Sequence, residues 1–300
     1  MCHEAIVASA GGLHHSRLAR LRRARRPCGA SGQCDRRARS TREHDGRVSS
    51  VEPVTRSAPP LGGVRILRQR WTEATFLHWR VDPAVVAPHL PPGTRPDEHD
   101  GSSWVGLIPF QLSRTAFLGG PRVPWLGTFP EVNVRLYSVD EHGRRGVVFV
   151  SLDAAHLVPV LTAQAMFGLP YRWARMSIER RHGAVIYDTI RHTDAAAHSR
   201  IVVRPGEPTG DDPLALFLTA RWAYHERHLG STWYGRNLHR PWPLRRAELL
   251  ALDDGLLEAA GFPGLASRAP DSVLYSPGVE TVFALPQRVA REETHGRGWR

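Results

Sequence analysis

Beyond about residue 70 the chain falls into short runs in which β-branched and aromatic residues alternate with polar ones, the period of a half-buried strand. Residues 74–81 predict a strand. Asp82 then supplies a helix cap and Pro83 a first helical position, so a short helix is expected over 84–89 until Leu90-Pro91-Pro92-Gly93 stops it. Residues 104–112 predict a second strand, followed by a Gly- and Pro-rich loop to Pro130. Residues 132–139 and 145–152 flank Asp140-Glu141-His142-Gly143, and 172–181 and 184–191 flank His182-Gly183; both arrangements predict hairpins.

Two longer helices are expected between these strands. Asp153 can cap one that runs through 161–167, with Gly168 as its left-handed stop and Pro170 barring continuation. Asp212-Pro213 opens another through Leu214, Phe217, Leu218, Arg221 and Trp222. Further strands are predicted at 199–204, 232–238, 246–252 and 273–285. Many strands and few helices give a mostly β (α+β) class: an antiparallel barrel or sandwich with inserted helices.

Charge divides the chain. Of 40 basic side chains all are Arg; the sequence has no Lys, which rules out lysine Schiff-base, lysine-base and P-loop chemistry. Residues 1–60 hold 12 Arg against 5 acids and no aromatic residue, so they are expected to be a disordered tail, with 61–290 as the folded domain and 291–300 as a disordered C-terminus. The arginine runs at 17–26 and 36–42 allow a nucleic-acid or anionic-membrane arm, but no aromatic is interleaved to stack on bases. The competing reading is a start placed too far upstream, with Val48 or Val51 as the first native residue. Cys2, Cys28 and Cys34 all lie in the tail and have no zinc-site spacing, so neither metal nor cofactor is expected. With no convincing signal peptide or apolar span, a soluble cytoplasmic protein without membrane attachment is the default expectation.

Candidate chemistry is concentrated in Phe129-Pro130-Glu131-Val132-Asn133-Val134-Arg135. On a strand, Glu131, Asn133 and Arg135 share one face and Val132 and Val134 the other. One reading is a lined cavity, with Arg135 binding a carboxylate, Asn133 hydrogen bonding and Glu131 as acid or base. The other is a solvent-facing strand side. Arg70 and Trp71 are a second polar–aromatic pair placed to reach a barrel mouth. His225 and His228 could share a metal at their spacing, yet an exposed helix end accounts for them as well. Gly101-Ser102-Ser103-Trp104 matches a nucleophile elbow only superficially and predicts a turn at a strand edge.

Several of these segments together resemble the bacterial YqjF-like family (DUF2071). They are Arg68-Gln69-Arg70-Trp71, Phe76 to Asp82, Leu90-Pro91-Pro92-Gly93, Trp104 to Phe110, Phe129 to Arg135, Ser151-Leu152-Asp153-Ala154, Phe167-Gly168-Leu169-Pro170-Tyr171 and Pro241-Trp242-Pro243-Leu244. The match spans about 65–285 and leaves out the arginine tail. That family is distantly similar to acetoacetate decarboxylase, a cone-like antiparallel β-barrel around a small-molecule cavity. The decarboxylase forms an imine on a lysine; the corresponding position here is Met166, which cannot. Its arginine near the first strand corresponds to Arg70.

The resemblance implies a barrel that takes a small carboxylate or keto ligand. Arg70, Arg135, Asn133 and Trp71 would bind it, and Glu131 would serve as acid or base. If the protein is an enzyme, lysine-free proton transfer of a lyase or isomerase type is expected. A non-catalytic sensing module using the same cavity is the alternative, and nucleic-acid binding through the tail a weaker one. A homo-oligomer is left open.

Overall fold

The computed structural model describes residues 50–122, 127–156 and 168–289. In chain order its elements are β1 (Arg65–Val81), α1 (Pro83–Val86), β2 (Thr94–Pro96), β3 (Ser103–Phe117), β4 (Phe129–Asp140), β5 (Arg145–Ala154), β6 (Tyr171–Arg181), β7 (Ala184–Arg191) and β8 (His198–Pro208). There follow α2 (Pro213–Thr219), β9 (Ala223–His228), β10 (Ser231–His239), β11 (Arg245–Asp254), α3 (Leu256–Ala259), β12 (Ser272–Ala284) and β13 (Gln287–Arg288).

Local chemistry sets the boundaries as expected at several of these. The Asp82 carboxylate accepts from the Ala84 N–H at 2.8 Å, and Asp212 accepts from the N–H groups of Leu214 and Ala215, each with proline in the first turn. His182 and Gly183 have φ of 51° and 78°, the paired left-handed residues that turn β6 into β7 with the twist of the strands.

Strand pairing closes on itself twice among the described residues. One circuit runs β5–β6–β7–β8–β11–β12–β1–β3–β4 and back to β5. The other leaves β5 for β9 and β10, reaches β12, and returns through the same β1, β3 and β4. The two rings therefore share a wall. Each wall strand has two faces, so period-two alternation gives one set of side chains to each ring. Leu77 and Trp79 of β1, Leu107 of β3, Val132 and Val134 of β4, and Val185, Ile201 and Tyr275 fill the larger ring as an apolar core, joined by Leu256 and Leu257 of α3. The smaller ring is left with a cavity.

The structure corrects four expectations. The tail expected over residues 1–60 does not include its last stretch: the Glu52 N–H bonds to the Gly143 carbonyl, Arg236 donates to the Pro60 carbonyl and Trp222 to that of Thr55. Asp153 caps no helix: it ends β5 with its carboxylate held by Arg191 Nε and Nη2 at 2.6 and 3.0 Å. The second expected helix stops at Thr219, short of Arg221 and Trp222. His225 and His228 lie on β9, not on a helix end. His225 is fully buried, with Nδ1 2.8 Å from Ser138 Oγ. The expected helix over 161–167, residues 1–49 and residues 291–300 lie outside the described residues. No described helix is long and apolar enough to cross a membrane.

Candidate functional site

The alternation read at 131–135 is present on β4. Val132 and Val134 pack into the larger core, and Glu131, Asn133 and Arg135 line a cavity of about 130 Å³ in the smaller ring. That is roughly tenfold the space one water requires. Most of its wall is apolar, with polar groups at a few points, the usual composition of a small-molecule site.

Glu131 is 3% exposed and accepts a hydrogen bond on Oε2 from the Tyr171 hydroxyl at 3.0 Å. Burial pushes its carboxyl up to about 8. The Tyr171 bond pulls the other way, the nearby Asp153 charge raises it further, and a bond from Asn133 lowers it. Glu131 therefore keeps its proton at neutral pH. Asn133 is 5% exposed, and its Oδ1 has no hydrogen-bond partner among the described residues.

Two guanidinium groups reach the cavity. Arg135 is half-buried; Nε donates to Tyr137 Oη at 3.1 Å and Nη2 to the Leu218 carbonyl at 2.9 Å. Tyr137 donates its own proton to that same carbonyl at 2.9 Å, so the 2.6 Å contact with His78 must be donated by His78 Nε2. His78 therefore carries a proton on Nε2, and burial, with the nearby Arg135 and Arg221 charges, lowers its pKa well below the ordinary value, favouring the neutral ring. Arg221 is buried. Nη1 donates to Asp97 at 2.5 Å, Nε donates to the Phe217 carbonyl at 2.8 Å, and the guanidinium lies 4.2 Å from the Phe217 ring centre. Its Nη2 has no hydrogen-bond partner among the described residues. Asp97 also pairs with Arg145, so one buried carboxylate orients two arginines.

Aromatic rings line much of the rest. Trp71 stacks on Trp242 with centroids 5.9 Å apart and meets Phe110 edge-on at 5.7 Å. His239 lies against both tryptophans, its pKa lowered by burial to about 4. On β9, Tyr224 crosses Gly235 of β10; a Cβ there would sit 2.2 Å from the ring, so only glycine lets Tyr224 take this position.

Glu131, Asn133, Arg135 and Trp71 therefore meet at one cavity. Arg70 does not. Trp71 turns inward, so its neighbour on the strand turns outward, where Arg70 lines a separate surface depression with Arg68, Arg114 and Glu280. Met166 lies outside the described residues. Sequence reasoning missed Arg221, Asn237, His239 and Asp97. Among the described residues no group of three His, Cys, Asp or Glu side chains is placed to hold a metal.

Comparison with known proteins gives this arrangement relatives. The family DUF2071, described as an uncharacterized conserved protein (COG2071), matches residues 68–280. YqjF of Bacillus subtilis (strain 168) is 34% identical over 189 residues, which is 62% of this chain and 78% of that protein. The acetoacetate decarboxylase of Legionella pneumophila superposes with a TM-score of 0.54 at 13% identity, covering 78% of this chain and 92% of that one. The enduracididine biosynthesis enzyme MppR, complexed with the condensation product of pyruvate and imidazole 4-carboxaldehyde, gives 0.52 at 16% identity, with 76% and 90% covered. At such identities the likeness is one of fold: a mostly β, acetoacetate decarboxylase-like architecture.

Proposed function

This chain belongs to the DUF2071 family, and from that fold and the cavity within it we propose that the protein binds a small organic acid or keto compound inside the smaller ring. The observation that carries this reading is the presence of two fixed guanidinium groups, Arg135 and Arg221, and a protonated Glu131 in a mostly apolar cavity. A carboxylate would sit against the arginines, whose forked donors match its geometry. Glu131 would then donate to the ligand's oxygen, and Asn133 would fix its orientation. Where a ketone lies beside Glu131 with its carboxylate one carbon further on, breaking of the C–C bond to release CO2 would send the electron pair toward the carbonyl, whose oxygen takes the Glu131 proton, giving the enol and leaving Glu131 ionised. The chain has no lysine, so this chemistry would proceed without a lysine imine.

The complex of MppR with a pyruvate condensation product supports a keto-acid-sized ligand for this fold. A non-catalytic sensor built on the same cavity is the second reading, favoured by the mostly apolar wall. A thermal-shift screen against small carboxylates, run beside a turnover assay, tests both. Stabilisation in wild type that weakens in Arg135→Ala supports ligand binding. Turnover lost in Glu131→Gln supports catalysis, and binding without turnover supports the sensor. The absence of any stabilisation would overturn both.

A further inference from the structure

Buried polar atoms of the cavity have no partner among the described residues, and they define the ligand more narrowly than the arginines do. Asn133 Oδ1 and Asn237 Oδ1 are buried without a hydrogen bond, as is the donor Arg221 Nη2. All three residues line the cavity. The Asn237 amide makes no side-chain hydrogen bond at all among the described residues. Whichever way it is turned, it therefore offers one donor and one acceptor. Buried polar groups are as a rule satisfied, and water serves them until a ligand group of matching sense replaces it.

A keto acid has acceptors only. It can answer Arg221 and Arg135 but would leave the Asn237 oxygen unpaired, whereas Asn133 can turn its oxygen toward the protonated Glu131. A hydroxy acid has the same carboxylate, plus a hydroxyl that donates to an asparagine oxygen while accepting from a neighbouring donor. Resting on the proposed cavity function, we infer that the preferred ligand is a hydroxy acid rather than a keto acid, selected by Asn237.

The test is a calorimetric titration of the full chain with two matched pairs, lactate with pyruvate and phenyllactate with phenylpyruvate. Each pair differs only at the oxygen-bearing carbon. The inference expects the hydroxy acid to bind about tenfold or more tightly than its keto partner, the usual consequence of leaving a buried acceptor unpaired. Asn237→Leu is expected to shrink that ratio at least threefold. Asn237→Ser serves the same comparison if the leucine variant fails to fold. Equal or tighter binding of the keto acids would overturn the inference while leaving the carboxylate site standing. A ratio unchanged in both variants would overturn the role given to Asn237. No binding of any of the four acids would overturn the cavity function with it.

Discussion

The Tyr171 hydroxyl donates to Glu131 Oε2 at 3.0 Å, tying the first residue of β6 to the cavity face of β4. Since this bond favours the ionised form, Tyr171→Phe is expected to push the Glu131 carboxyl above its value of about 8. Carbon-detected NMR titration of the glutamate carboxyls checks this. A downward shift would mean that Tyr171 favours the neutral acid.

The same carboxyl makes stability depend on pH. Folded Glu131 holds its proton to about pH 8, while an unfolded glutamate loses it near 4.5, so between these values unfolding releases a proton. Stability should fall as pH rises across that window, by at most about 1.4 kcal/mol per pH unit for this group. Glu226, pushed up to about 8 by burial, adds a slope of the same sign. Glu131→Gln should flatten the profile by one proton. Urea unfolding at pH 5, 6, 7 and 8 measures it, and an unchanged slope would show that Glu131 is ionised in the folded protein.

Among the described residues Asp97 is the sole ion-pair partner of Arg221, and it also holds Arg145. Replacing it with Asn leaves a buried guanidinium without its counter-charge. The expected loss is about 3–5 kcal/mol in guanidinium unfolding. A loss below about 1 kcal/mol would mean that the arginines find other partners.

Gly235→Ala should cost about 1–3 kcal/mol, since the added methyl must displace the Tyr224 ring or bend β10. Tyr224 lines the cavity, so ligand affinity should fall as well. A neutral effect on both in thermal melts and titration would show that the ring moves freely.

Much of this architecture can be read from local pattern. The alternation at 131–135 put three polar groups on one face, and the rings give that face a cavity. Asp82-Pro83 and Asp212-Pro213 marked helix starts because capping is a local matter. The errors arose where tertiary context decides. His225 and Arg221 follow a helix and carry on its apparent spacing, but the chain turns at Ala220 and enters β9. Nothing near Asp97 in sequence signals that it anchors arginines 48 and 124 residues away. Arg70 and Trp71 cannot share one site because adjacent strand residues face opposite ways, and only the closure of the ring decides which of them faces inward.

That contrast between Arg70 and Arg135 gives the most direct test. Titrating phenyllactate and phenylpyruvate into wild type, Arg135→Met and Arg70→Met compares a cation inside the cavity with one on its outer wall. The cavity account predicts at least about tenfold weaker binding in Arg135→Met, some 1.4 kcal/mol, and no change in Arg70→Met. Binding lost with Arg70 and kept without Arg135 would place the carboxylate site elsewhere and contradict it.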